Sequence, residues 1–379
     1  MTFAKQGAGD TAAAVRPTRI RPYGLTAGAG PARAAAWIAA AIAVAIGIGF
    51  VLGYSSLLTV EEALGLAVFA VATNLLIGYG GLVSFGQAAF YGAGAYTVAL
   101  GWQNYHWSFW EGFALTPVVG AVLALPIGLI ALRTRSLYFA LLTLAFSQLF
   151  YEIAENQYHF TGGANGVFGS MLPTALALPR TGYFFVLAVT VICLALLGKV
   201  AASPFGLTLR TIRENRGRAE ALGVNVFAHE LIAFVVSGAF CSVAGGLFVV
   251  YSQSAYPELL DWSQSGYAVF MVVIGGMFTF LGPALGAIVY TLGQQYLQVH
   301  TSDWQLILGA VLLLIVLLRP DGLAGLISDG ARGFRSGAAR TWARVRRSPA
   351  GDAETRARRG HAGAAPPKAD GERQEDPQP

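Results

Sequence analysis

The stretch Ala201 to Leu231, AASPFGLTLRTIRENRGRAEALGVNVFAHEL, holds the densest internal cluster of charge in the chain. Its basic and acidic residues are spaced for ion pairing rather than for bond making. Arg210 with Glu214, and Arg216 with Glu220, stand four apart, so a short helix carries each pair on one face while Leu209 and Ile212 share another. Gly217 is expected to interrupt that helix, and Gly223 to end its second turn in a left-handed conformation. A charged hairpin of this kind between two long apolar runs is suited to docking another protein. The competing reading is a solvated amphipathic loop that only satisfies the excess of basic residues in cytoplasmic loops.

Side chains that catalyse or bind metals are present without the spacing such chemistry needs. His106, His159, His229, His300 and His361 are scattered, and no nucleophile sits in a motif that supplies it with a base. A P-loop needs Lys followed by Ser or Thr after a Gly-rich turn, and Lys5, Lys199 and Lys368 all lack that setting. No catalytic, cofactor-binding or metal-binding residue is therefore expected, and any ATP that drives this protein is bound and hydrolysed by another chain. Cys193 and Cys241 fall inside apolar runs and are expected to be buried structural thiols.

The elements that must position the charged stretch are apolar helices. Only 12% of the 379 residues are charged, about half the share in a soluble domain, and the mean hydropathy is +0.56. Ten segments fit the requirement of about 20 mainly apolar residues per span. Seven are clear: Ala35 to Gly53, Ala63 to Ile77, Phe113 to Leu132, Leu137 to Ile153, Tyr183 to Val200, Leu231 to Tyr251 and Leu306 to Leu318. Three are Gly-rich and open to a broken helix: Leu82 to Leu100, Tyr267 to Phe280 and Pro283 to Leu297. The fold class is thus all-α, a polytopic membrane helix bundle of about ten transmembrane helices.

Basic residues orient that bundle. The N-terminal arm (Lys5, Arg16, Arg19, Arg21, Arg33), Arg133 with Arg135, the central stretch and everything from Arg319 onward fall on one side when ten spans are threaded. The intervening loops 101–111, 155–181, 252–263 and 300–303 hold one Arg, Arg180, and no Lys. Both termini are therefore expected in the cytoplasm. The domain reading is a basic cytoplasmic arm over 1–34, a transmembrane domain over 35–325 with the charged loop at 201–230, and a disordered cytoplasmic tail over 326–379 that is too poor in apolar residues to fold. The tail's arginines can meet anionic lipid headgroups, or the tail is simply solvated.

Polar side chains inside spans are costly and become candidates for a translocation path. Those on offer are Asn74, Ser84, Gln87, Ser147, Gln148 and Glu152, the last near the end of its span. Gly81, Gly86 and Gly94 lie among them in a segment dense enough in glycine for close helix approach or a helix break. Ordinary small-residue packing is the competing reading. Gly80 to Phe85 and Gly275 to Phe280 share the pattern Gly-Gly, two residues, Ser or Thr, then Phe. No charged pair stands at mid-membrane depth, so any substrate site in this chain is expected to be weak.

Read in order, NLLIGYGGLVSFGQAAFYGAGAYTVAL, LYFALLTLAFSQL, TGGANG, SPFGLTLRTIRENRGRAEALGVNVF, MVVIGGMFTFLGPALGA and LRPDGLAG closely resemble the permease subunits of branched-chain amino acid ABC importers, in particular their LivM-like branch. The resemblance covers about Ala35 to Gly325. It implies a bacterial inner-membrane assembly of two related permeases, two cytoplasmic ATP-binding cassette subunits and an extracytoplasmic substrate-binding protein, with no nucleic acid. It further implies that the central loop couples permease to ATPase through the positions matched here by Arg210, Ile212, Arg213, Glu214, Asn215, Ala219, Glu220, Ala221 and Gly223. Two positions depart from the pattern. Arg216-Gly217-Arg218 stands where an acidic residue and small apolar ones are usual, and Glu230 where a basic residue is common, which implies a docking face more positive in its middle. The expected function is import of branched-chain or related amino acids. The alternatives are an ATP-independent secondary transporter or channel, or an ABC permease for urea, amides or aromatic acids. An acid or base deep inside a span would favour the secondary transporter.

Overall fold

The computed structural model describes residues 43–134, 136–169, 171–318 and 322–323. The expected basic arm, the tail from residue 326, and Arg135 and Arg319 lie outside the described residues. A helical stretch over 43–51 is followed by α1 Tyr54–Asn74, α2 Gln87–Tyr105, α3 Phe109–Ala131, α4 Leu137–Asn156, α5 Pro179–Ala202, α6 Pro204–Glu214, α7 Arg216–Ala221, α8 Val226–Ser252, α9 Trp262–Gly275, α10 Gly282–His300 and α11 Trp304–Leu318. Among the described residues each of the ten apolar segments falls wholly or in part on one of these helices, and the charged stretch forms the α6–α7 hairpin. Among the described residues five helical runs are long and apolar enough by themselves to cross a membrane: Tyr54–Gly80, Phe109–Ala131, Leu137–Asn156, Pro179–Ala202 and Val226–Ser252.

Local sequence accounts for the ends of several helices. Ser108 caps α3, its backbone N–H donating to Glu111 Oε2 at 2.8 Å in a capping box. Ser203 precedes Pro204 at the start of α6, and Asn225 accepts from the Ala228 N–H at 3.1 Å to start α8. The helix α1 begins at Tyr54, well before the expected Ala63, because the turn containing Glu61 and Glu62 keeps helical register and buries Leu57, Thr59 and Glu61. At its other end α1 widens into a π-type turn over Leu75–Gly80, and Gly81 turns the chain at φ 71, a left-handed value suited to glycine.

The long α8 runs through the middle of the packing, against α1, α2 and α3. Small residues permit this. A Cβ on Gly94 would fall on the Ser242 carbonyl, and one on Gly245 on the Tyr91 carbonyl, so two backbones touch where α2 crosses α8. Gly128 of α3 faces Leu231 and Phe234 near the start of α8, while Gly120 faces Gly238 and Ser242, so α3 and α8 are antiparallel. Phe90 and Phe234 meet edge to face at 5.5 Å between ring centroids in the core of this seam.

Contacts between distant segments fix which ends lie together. The break after α1 touches α6, and the end of α3 lies beside the start of α8, so both are at the hairpin end. At the opposite end Val167–Phe168 pairs antiparallel with Ser254–Ala255, joining the loop after α4 to the loop after α8. Thr59 Oγ1 donates to Gln295 Oε1 at 2.8 Å, which places the start of α1 beside the end of α10. Successive spans therefore alternate in direction.

Candidate functional site

Leu209, Ile212, Ala219 and Val226 are buried and hold the α6–α7 hairpin to itself and to the bundle. Ile212 is thus an internal anchor. Glu214, Asn215, Arg218, Glu220 and Gly223 lie on the exposed side with two large apolar residues, Leu207 and Leu222, the latter 73% exposed. The interruption falls at Asn215, not at the expected Gly217. Asn215 takes an extended backbone, and its side chain accepts the Arg218 N–H at 2.9 Å, so an Asn cap outweighs the helix-weakening effect of Gly217. Gly223 has φ 84, the left-handed conformation the sequence calls for.

Arg216 does more than pair along its own helix. Its Nε lies 3.1 Å from Glu220, as the spacing requires, and its Nη1 lies 2.7 and 2.9 Å from the two oxygens of Glu230 on α8. Glu230 is buried, so this bridge fixes the hairpin to the start of α8. The two positions that depart from the resembled pattern are therefore partners. The positive centre expected on the docking face is correspondingly reduced, since the Arg216 charge is neutralised within the chain.

The inward side of α6 reaches both Gly-rich breaks. Arg213 donates from Nη1 to the Gly78 carbonyl, packs its stem over Gly81, and places its guanidinium 5.1 Å from the centre of the Phe278 ring. Arg210 stacks over Tyr79 at 4.4 Å. The two breaks also touch each other: Asn74 Nδ2 donates to the Thr279 carbonyl at 3.3 Å, and a Cβ on Gly78 would strike the Met277 carbonyl. The two sequence patterns with matching spacing thus form two facing breaks, with Arg213 set against both.

The polar candidates for a path are mostly tied up inside the chain. Gln87, fully buried, accepts at Oε1 from Ser237 and Cys241, each at 3.2 Å, and donates to Ser84 at 3.4 Å. Cys241 is hence a structural thiol, as is the buried Cys193. Ser147 donates to the Leu260 carbonyl at 2.7 Å, and Gly86 sits against Thr143. These bonds gather Ser84, Gly86, Gln87 and Ser147 along the seam where α2 meets α4, α8 and the start of α9. Asn74 Oδ1 is buried without a partner among the described residues. Gln148 is half-buried and donates to the exposed Glu152 at 3.2 Å, one turn further along α4.

Two acidic residues escaped the sequence reading. Glu61 and Glu62 stand inside α1; Glu61 is 2% exposed and faces Gly182 of α5, with Oε1 unpartnered. The apolar residues Leu57, Leu58 and Val60 ahead of them were the available signal that helical register extends past the pair. Among the described residues no group of three or more His, Cys, Asp or Glu side chains is placed to hold a metal.

Antiparallel apolar helices, facing Gly-rich breaks and a charged hairpin pinned to them define a multi-pass membrane protein of the permease class. The chain belongs to the family described as branched-chain amino acid transport system / permease component, whose model matches residues 62–317. It is a transport component rather than an enzyme. It is 27% identical over 283 residues to the high-affinity branched-chain amino acid transport system permease protein LivM of Salmonella typhimurium, covering 68% of this chain and 67% of that protein. Against LivM of Escherichia coli it is 26% identical over 300 residues, 72% of this chain and 70% of that one. A probable LivH permease protein of Methanocaldococcus jannaschii is 28% identical over 132 residues, 32% of this chain and 41% of the relative. No solved structure matches the chain.

Proposed function

We propose that this chain is the LivM-like membrane subunit of an ATP-driven importer of branched-chain amino acids. The observation that carries the reading is the two-sided hairpin. Its outer side presents Glu214, Asn215, Arg218, Glu220 and Leu222 to a partner, while its inner side holds Arg213 against both helix breaks. A separate ATP-binding cassette subunit docks on the outer side, and its movement reaches the membrane segments through Arg213, Arg210 and the Arg216–Glu230 bridge.

The family resemblance supports the remaining partners. A second, LivH-like permease completes the membrane domain, and an extracytoplasmic binding protein delivers the substrate and supplies most of the selection. The hairpin end is cytoplasmic. The alternation of helices supports both termini lying on that side of a bacterial inner membrane, with the arm and tail as separate cytoplasmic segments. In the path reading, Gly81, Gly86 and Asn74 work as parts of the facing breaks, and Ser84, Gln87 and Ser147 keep the seam beside them closed.

The test is reconstitution of this chain with a LivH-like permease, an ATP-binding cassette subunit and a substrate-binding protein. Uptake of leucine, isoleucine and valine by proteoliposomes should require ATP and the binding protein. Uptake of urea, short amides or phenylalanine in their place would transfer the cargo assignment to that class, and ATP-independent uptake driven by an ion gradient would remove the ABC reading.

A further inference from the structure

Two cavities meet at Trp107 in the half of the bundle remote from the hairpin. The outer one, of about 650 Å³, lies between the turn joining α2 to α3 and the loop at 171–173. Trp102, Trp107 and Trp110 wall it, with Gln103, His106 and Ser108 among the rings. The inner one, of about 270 Å³, continues between α2 and α3 toward the middle of the bundle. Ala93, Leu100, Leu115 and Val119 line it, and Thr97 spends its hydroxyl on the Ala93 carbonyl at 2.7 Å, so the wall is largely hydrocarbon.

Glycines set the rings in place. A Cβ on Gly101 would meet the Trp107 ring at 2.6 Å, and one on Gly169 would meet the Trp102 ring at 2.6 Å, so each indole rests on backbone without a side chain. His106 takes a left-handed φ of 54, uncommon outside glycine, and the Trp107 N–H then closes onto the Gly101 carbonyl at 3.0 Å. That turn brings Trp107 back over the end of α2, between the two cavities.

The pair of cavities is amphipathic along the membrane axis. From Trp102 to Ala93 the helix α2 runs about 14 Å at 1.5 Å per residue, close to half of a hydrocarbon core of about 30 Å. Indoles favour the membrane–water interface, and Val118 and Val122 of α3 are exposed beside the groove, so it opens toward lipid. The outer cavity suits a zwitterion. Ser108 on its wall donates from N–H and Oγ to Glu111 Oε2 at 2.8 and 2.9 Å, which sets a carboxylate beside ring faces that attract a cation. Gln103 and His106 supply N–H donors for a phosphate. Residues 101–111 include no Lys or Arg, so a headgroup that is only anionic meets no counter-charge there.

We propose that the groove between α2 and α3 binds one phospholipid with an ammonium headgroup from the leaflet opposite the hairpin, its head among the tryptophans and one acyl chain between Leu115 and Ala93. The reading is independent of which amino acid is carried. The test places the full chain with its partner subunits in nanodiscs of phosphatidylglycerol containing a trace of phosphatidylethanolamine with a diazirine in its acyl chain. Photolabelled positions are then read by peptide mass spectrometry.

Labelling should concentrate on the peptides carrying Ala93 to Leu100 and Leu115 to Val119, above those carrying the exposed Leu141 and Leu149 of α4, and excess unlabelled phosphatidylethanolamine should abolish the difference. Leu115→Trp and Val119→Phe, which fill the inner cavity, should each lower labelling at the groove by about tenfold, and Val122→Trp, outside it, should not. Glu111→Gln should weaken the preference for phosphatidylethanolamine. Labelling spread evenly over α3 and α4, labelling unchanged in both cavity-filling variants, or a groove cross-linked to a partner subunit in place of lipid would overturn the proposal.

Discussion

Arg216 and Glu230 form an intrachain bridge, at 2.7 and 2.9 Å, between the hairpin and the first turns of α8. Glu230 is 2% exposed, so the Arg216 guanidinium offsets much of the cost of burying its carboxylate. Each residue is unusual at its position by the resembled pattern, and the pair accounts for both departures together. A charge pair exchanged end for end keeps the attraction while reversing which element carries which sign.

Removing one partner should therefore be worse than exchanging both. Arg216→Ala removes a charged hydrogen-bonding partner from a buried carboxylate, a loss of about 2–5 kcal/mol, and should lower the yield of ATPase-bound complex. Arg216→Glu combined with Glu230→Arg should recover most of that yield. A double-mutant cycle on thermal stability of the purified complex reads the coupling, and a double variant no better than Arg216→Glu alone would refute the pairing.

The backbone contact between α2 and α8 predicts sharp size limits. Gly94→Val and Gly245→Val each drive a side chain into a carbonyl on the facing helix, and each should cost about 3 kcal/mol or more. Gly266→Ala and Gly293→Ala, which meet nothing within 4 Å, should behave like wild type. Gly86→Leu should block uptake by pushing against Thr143 at the start of the α2 seam, with membrane insertion retained. Fluorescence-detected size exclusion together with uptake separates these outcomes.

Gln87 offers a choice between path and scaffold. Its oxygen accepts from Ser237 and Cys241, but Ser237 also has the Ala72 carbonyl at 2.7 Å, so Gln87→Leu strands one donor and costs about 1–3 kcal/mol. The expected result is a lower melting temperature with uptake per folded molecule nearly unchanged. Loss of uptake at full stability would instead make Gln87 a path residue.

If the hairpin end is cytoplasmic, the loops at the opposite end of the bundle face the outside. Cysteines introduced at His106 and Asn165 should react with an impermeant maleimide added outside intact cells, and one at Thr134 only after permeabilisation. The reverse pattern at Thr134 would invert the hairpin and exclude ATPase docking there.

Much of this was legible in the sequence, and the parts that were not share a cause. Apolar run length marked the long helices among the described residues, and the four-residue spacing of Arg216 and Glu220 gave their ion pair, because both are local properties. The matching Gly-Gly patterns marked the two breaks, yet nothing local to either stretch indicates that Asn74 reaches Thr279 or that Arg213 lies against both. The hydrogen bonds of Gln87 and Ser147 are long-range in the same way. Glu61 and Glu62 were missed because a window that scores apolar residues stops at a charged pair, whereas the backbone continues through it. The break at Asn215 instead of Gly217 reflects a side-chain cap, which outweighs propensity at a single glycine.

The central claim is that motion of the docked ATPase reaches the membrane breaks through Arg213. The most direct test is leucine uptake and ATP hydrolysis measured side by side in proteoliposomes carrying wild type or Arg213→Ala. The account predicts that Arg213→Ala retains the ATPase subunit and hydrolyses ATP, because the exposed face of the hairpin is intact, while uptake falls about tenfold or more from loss of a charged, partly buried contact. Wild-type uptake by Arg213→Ala at a wild-type rate of hydrolysis would contradict it.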